Sequence, residues 1–187
     1  MVDPERSPLD GLVEVDETDL PHRTRTDPPA GGQGRSKQGK MLLAGAVEVT
    51  DDGKPGRARL AAIDDTSAES LHPFIAANLT PGATAKTDGW TGYPGAPGVI
   101  HEPHVIGTMA AHIVLPWSHR LFSNLKRWAI GVYHGLRRKH LQSYLDEFVF
   151  RFNRRRNRLT NFGRLLGFCA RLSPTTYDML TAPEAKG

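Results

Sequence analysis

The chain has 187 residues, enough for one domain with a real core and too few for two comfortable ones. Its single cysteine, Cys169, excludes a disulfide framework or a four-ligand zinc ribbon built from this chain alone, and it fits a reducing compartment. The net charge of +4 hides an asymmetry: residues 1–116 hold 10 Lys and Arg against 16 Asp and Glu, whereas residues 117–187 hold 14 against 4.

A basic half of that strength points to a polyanion partner, with a solvated basic surface as the plain alternative. No apolar run approaches the roughly twenty residues that span a bilayer, and the start is not a basic-then-apolar signal, so no membrane association and a cytoplasmic location are expected.

Residues 1–11 are read as an N-terminal arm. Leu12 to Asp16 then alternate apolar and polar as a strand does. Residues 21–40, rich in Pro, Gly, Arg and Lys, cannot bury enough apolar surface to fold by themselves and are expected to form a disordered basic loop. Met41 to Val49 is a nearly continuous apolar run suited to a covered sheet, and a turn at Asp51–Gly56 leads into a strand from Arg57 to Ile63. Thr66 and Glu69 have the spacing of a capping box, followed by Leu71, Phe74, Ile75 and Leu79 at helical spacing until Pro81-Gly82.

Ala83 to Thr87 forms a fourth strand that delivers Asp88, and Val99 to Ile106 forms a fifth after a Gly- and Pro-rich turn. Leu121, Leu125, Trp128 and Val132 mark one face of a helix from about Ser118 to Tyr133. Leu141, Tyr144, Leu145, Phe148, Val149 and Phe152 mark a second, and Asn161 to Leu172 a third that Ser173-Pro174 ends. Cys169, among Leu165, Leu166 and Phe168, is expected in a core. Three antiparallel strands, a helix, two more strands and then helices is the order of an RNase H-like α/β fold. The expected domain covers residues 12–158, and residues 159–187 form a helical extension and tail.

If the first and fourth strands lie side by side, Asp16 and Asp88 face one another. Oxygen donors on neighbouring rigid strands suit two Mg²⁺ or Mn²⁺ ions of the kind that assist phosphodiester cleavage. An Asp before Gly, as at Asp88-Gly89, also reads as a turn former. His119 and Lys126 are seven residues apart, which returns a helix to within about 20° of the same face, so both can act on one phosphate. His119 would complete a metal shell or act as general acid or base, and it suits Mn²⁺ or Zn²⁺ better than Mg²⁺; its alternative is a polar residue at a helix start. Lys126 would hold phosphate as a point charge or lie solvated. His101, His104 and His112 match no familiar zinc spacing.

Arg151, Arg154, Arg155, Arg156 and Arg158 form the densest basic run, and Arg137, Arg138 and Lys139 a second in an inter-helix turn. With Arg120 and Arg127 they are the candidate DNA-phosphate contacts, which position without reading sequence. Cations near a helix end that favour its dipole are the alternative.

The segments VEVDET (13–18), GKMLLAGAVEV (39–49), TDGWTGY (87–93), SNLKRWAIGVYHG (123–135) and KHLQSYLDEFVFRFNRR (139–155) resemble the bacterial insertion-sequence transposases with an ISXO-type DDE catalytic domain. The resemblance implies metal-dependent DNA strand cleavage and strand transfer at insertion-sequence ends. The first two acidic ligands would be Asp16 and Asp88, the lysine Lys126, and the partners element-end and target DNA, with a homo-oligomer assembled on them. The position that is Glu in many members is His119 here. Asn124 is a poorer substitute, being about 160° around the helix from Lys126, and Glu102 and Glu147 are other carboxylates that folding could bring near. The zinc ribbon and helix-turn-helix that commonly precede the domain have no counterpart in this sequence, so the resemblance implies an N-terminally truncated transposase. A catalytically inactive remnant that only binds DNA is the second reading, and an RNase H-like nuclease acting on RNA hybrids the third.

Overall fold

Alternation along β1 (Leu12–Pro21) divides the molecule into two layers. Val13 and Val15 join Leu71, Phe74 and Ile75 of α1 (Ala68–Asn78) on one side of the sheet. On the other side Leu20, with Leu43 and Val47 of β2 (Lys40–Val49) and Leu60 of β3 (Pro55–Ile63), packs under α3 (Pro116–Tyr133) and α4 (Leu141–Asn153). The remaining elements are β4 (Thr84–Thr87), β5 (Ile100–Pro103), a short α2 (Ala111–Val114), a 3₁₀ turn at Arg138–His140, α5 (Asn161–Arg171) and α6 (Tyr177–Thr181). This computed structural model describes residues 6–21, 39–104, 111–133, 136–156, 160–171, 173–174 and 176–181.

Among the described residues the sheet has five strands in the order β3-β2-β1-β4-β5. β1 pairs antiparallel with β2 and β2 with β3, whereas β4 runs parallel to β1 and β5 parallel to β4. The fold is therefore the expected RNase H-like mixed sheet flanked by helices, with a helical C-terminal part. No helix among the described residues is long and apolar enough to cross a membrane.

Edge strand β3 is closed by two side-chain amides of α4. Asn153 accepts from the Ala58 N–H at 2.7 Å and donates to the Ala58 carbonyl at 3.1 Å, and Gln142 accepts from Ala62 N at 3.1 Å and donates to Leu60 O at 3.2 Å. The amides replace a missing strand, which satisfies backbone groups that an open edge leaves unpaired.

Several expectations change. The hairpin of β1 and β2 runs to Pro21 opposite Lys40, and the rest of the expected loop lies outside the described residues. Leu9, placed in the arm, is fully buried and exchanges backbone bonds with Asn78 and Thr80. The Thr66–Glu69 capping box does not form: Ser67 is the N-cap, and Asp65 Oδ1 accepts from the Ser67 N–H at 3.0 Å and the Ser70 hydroxyl at 2.8 Å. A carboxylate two residues before an N–H is the stronger acceptor.

On α3 the buried stripe is Leu121, Phe122, Leu125 and Ala129, and Val132 is 56% exposed. Val132 shares the direction of Leu125 to within about 20°, so its exposure reflects its place at the helix end. Cys169 is exposed, as is Leu166 on the same helix, because α5 presents its apolar side without a covering layer among the described residues.

Candidate active site

Register places the two aspartates. Glu14 of β1 pairs with Lys86 of β4, so two residues further along each parallel strand come Asp16 and Asp88. Each has Oδ1 fixed by a backbone N–H: Asp16 accepts from Glu17 N at 2.9 Å, and Asp88 accepts from Trp90 N at 3.0 Å in the turn that Gly89 completes with φ of 83°. Asp88 is thus both turn former and site carboxylate.

Asp16 is buried, and burial first, then the charges of Glu17, Asp88 and Glu14, pushes its carboxyl up to about 7. Glu17 is also raised, by burial and by Asp88, against a hydrogen bond donated by the Tyr93 hydroxyl. Tyr93 is fully buried, and burial with the neighbouring carboxylates holds its hydroxyl protonated far above the ordinary tyrosine range. Excess negative charge thus gathers around Asp16.

His119 brings the nitrogen: its Nε2 stands 3.8 Å from Asp16 Oδ2. The helix that carries it is anchored from the same strand. Glu14 Oε2 accepts the N–H groups of Trp117 at 2.8 Å and Ser118 at 2.9 Å, capping α3 immediately after Pro116, whose missing N–H suits the first helical position. Burial raises the Glu14 carboxyl, and those two bonds oppose the rise. Glu14 and Asp16 lie on one face of β1, so the cap sets the height of His119 over Asp16. Lys126, half-buried, follows two turns later on the same side of α3, about 10 Å along the axis.

Gly45, the β2 partner of Asp16, admits this packing. A Cβ there would lie 2.5 Å from the Phe122 ring, so only glycine lets α3 settle so low on the sheet.

The loop bearing Asp88 is held as firmly. The Trp90 indole donates to the Thr66 carbonyl at 2.8 Å, and a Cβ on Gly92 would meet that same carbonyl at 2.5 Å. Thr87 Oγ1 lies 3.0 Å from His101 Nε2 and accepts from Gly89 N at 3.3 Å.

The other histidines and carboxylates lie elsewhere. His104 pairs with Glu102 at 2.7 Å, and the side chain of His112 is outside the described residues. Glu147 is occupied by Arg151 at 2.7 Å and the Tyr133 hydroxyl at 2.9 Å. The carboxylates that act on Asp16 are instead Glu17 and Glu14, which the sequence shows only as neighbours in one acidic strand. Asn124 is exposed on α3.

The basic runs separate. Arg138 pairs with Asp64 at 3.1 Å just beyond the end of β3, with Arg137 exposed and Lys139 half-buried beside it. Arg155 donates to the carbonyls of Gly56 at 3.2 Å and Phe152 at 2.8 Å and to that of Pro55, tying the end of α4 to the start of β3. Arg154 lies over the Phe150 ring at 4.2 Å, and Arg120 over that of Trp117 at 5.2 Å. Arg127, Arg151 and Arg156 are exposed, and Arg158 lies outside the described residues.

Asp16, Asp88 and Glu17 bring like charges near one another, and the His119 imidazole stands beside Asp16. Among the described residues no three His, Cys, Asp or Glu side chains converge on one ion position.

No curated protein sequence matches the chain. Among solved structures, the catalytic core domain of BIV integrase is similar at 12% sequence identity with a TM-score of 0.49, over 87% of this chain and 97% of that one. From residue 8 to residue 153 the sequence matches the ISXO2-like transposase domain, and since that span is most of the chain, the protein belongs to this family.

Proposed function

We propose that this chain is a transposase catalytic domain that cuts DNA at insertion-sequence ends and joins the freed 3′-hydroxyl to target DNA. The observation that carries the proposal is the buried Asp16 beside Asp88, just past the point where the parallel strands β1 and β4 stop pairing, in a member of a transposase family. Transposases of this kind generally use divalent metal ions. Mg²⁺ or Mn²⁺, held by Asp16 and Asp88 with His119, would supply Lewis-acid activation of the attacking oxygen and neutralise charge on the scissile phosphate.

The chain's own groups do the rest. Asp16 and Asp88 present Oδ2 with Oδ1 already fixed by backbone. His119, whose Nε2 lies beside Asp16, is kept for the ion, so the attacking water or hydroxyl gives its proton to solvent as the phosphorus–oxygen bond forms, and the departing 3′-oxygen takes a proton from solvent. Lys126 and the exposed arginines Arg120, Arg127, Arg137, Arg138, Arg151 and Arg156, with Lys139, hold flanking phosphates, as Arg154 and Arg158 do in the same run. Pairing two element ends calls for at least two copies of the chain on DNA.

The second reading, a remnant that binds DNA without cutting, is favoured by the side chains' incomplete convergence on an ion among the described residues. Incubating a labelled duplex that carries the element end with Mg²⁺ or Mn²⁺, beside Asp88→Asn, separates the two. Cutting by the wild type that the variant lacks supports the transposase; binding without cutting in either ion leaves the remnant.

A further inference from the structure

Trp90 is a large aromatic side chain left 39% exposed, yet it is among the most firmly tied residues of its loop. Its indole N–H donates to Thr66 O at 2.8 Å, its backbone N–H donates to Asp88 Oδ1 at 3.0 Å, and its carbonyl accepts from Tyr93 N at 3.3 Å. Gly92 lies close under the indole edge, where a Cβ would stand 3.2 Å from the ring. The ring's polar group is therefore satisfied and its orientation fixed, while part of its surface meets solvent. An exposed apolar surface held rigid loses little entropy when something packs on it.

Beside the ring is an open cavity of about 340 Å³, lined by Asp65, Thr66, Ser67, Ala68, Trp90, Thr91 and Gly92. It is large enough for a flat heterocycle by the ordinary size of ligand sites. Trp90 is two residues from Asp88 in the same turn, and its N–H is bonded to the Asp88 carboxylate at 3.0 Å, so the ring stands next to the candidate site.

We infer that Trp90 is a stacking platform for an unpaired nucleobase next to the scissile phosphate at the Asp16–Asp88 site. This rests on the DNA-cutting function proposed above and adds to it a preference for DNA whose end is frayed or single-stranded at the site. Every base has a π-face, so the platform gives affinity for unpaired structure without reading sequence.

The test is fluorescence anisotropy of the full chain with two labelled DNAs, one a blunt duplex and one the same duplex with a three-nucleotide unpaired end. Wild type, Trp90→Phe and Trp90→Ala are compared over a salt series, with circular dichroism to confirm folding. Wild type is expected to prefer the unpaired end, and Trp90→Ala to lose roughly tenfold on that DNA alone, with an unchanged salt slope, because stacking releases no counterions. Trp90→Phe, which keeps a ring and loses the bond to Thr66, is expected to stay within about threefold of wild type.

If Trp90→Phe falls as far as Trp90→Ala, the indole bond to Thr66 is what matters and the stacking role is overturned. Equal affinity of all three proteins for the unpaired end overturns it as well, while leaving the DNA-cutting function standing. Failure of the wild type to bind either DNA overturns both.

Discussion

His119 on α3 reaches across to within 3.8 Å of Asp16 on β1, so a helix start and a central strand share one charge cluster. An imidazole in that place lowers the fit to Mg²⁺, which favours oxygen, and raises it for Mn²⁺. Wild-type cutting is expected to be faster with Mn²⁺ than with Mg²⁺. His119→Glu should shift the balance toward Mg²⁺, and His119→Ala should lower the Mn²⁺ rate by about a hundredfold through loss of an ion ligand. Single-turnover cleavage in each ion measures both effects. An unchanged ion ratio in the Glu variant and an unchanged rate in the Ala variant would make the contact with Asp16 incidental.

Burial and neighbouring carboxylates carry Asp16 from an ordinary 3.8 to about 7 in the folded chain. The folded state therefore binds a proton that the unfolded state releases, and stability of the metal-free chain falls as pH rises from about 4 to about 7, by roughly 2–4 kcal/mol from this residue. Asp16→Asn should flatten that window, with Glu14 and Glu17, both also raised, leaving a residual slope of the same sign. At pH 8 the variant should melt at a higher temperature than wild type, and millimolar Mn²⁺ should stabilise wild type more than the variant. Thermal melts from pH 4 to pH 8 decide it, and a wild-type curve that rises with pH would refute it.

The strands that carry the two aspartates were legible because each depends on local pattern, whereas the meeting of Asp16 and Asp88 followed only from the expected strand order. Period-two alternation at Leu12–Asp16, the turn at Asp51–Gly56 and the strand leading into Asp88 each announce themselves within a few residues. What sequence hid are the links between distant residues. Nothing near Glu14 shows that it caps a helix 103 residues away, and nothing near Gly45 shows that Phe122 rests on it. Arg155 reads like its neighbours, yet it is tied to β3 by carbonyls that its own segment does not contain. Cys169 was misplaced for a related reason: an amphipathic pattern gives a helix an apolar side without saying whether anything covers it.

Gly45 is where the seat of α3 can be tested. An added methyl would stand 2.5 Å from Phe122 Cε1 and 3.1 Å from Leu60 Cδ2, so the helix must rise or the ring must turn. Gly45→Ala is expected to cost about 1–3 kcal/mol, the range for overpacked cores. It should also slow cutting, because His119 lies one turn before Phe122 on the helix that moves. Gly45→Ala combined with Phe122→Leu should recover most of the stability by returning the space. Chemical denaturation of the three proteins measures this, and a double variant no more stable than Gly45→Ala alone would place the strain elsewhere.

Glu14 offers a change that separates charge from capping. It is buried, and its Oε2 takes two N–H groups at the start of α3. Glu14→Gln keeps an acceptor oxygen there and removes the charge that disfavours ionised Asp16, so it should lose less than about 1 kcal/mol in cap strength. Glu14→Ala strands two amides at the buried end of a helix and should cost about 2–3 kcal/mol. In cutting assays under conditions where both variants are folded, the Gln form should keep most of the wild-type rate. The Ala form should fall about tenfold or more in kcat, with DNA affinity little changed, because Glu14 acts on the placement of His119 and touches no phosphate. Equal rates for the two variants would mean that α3 finds its height over Asp16 from the Phe122–Gly45 contact alone.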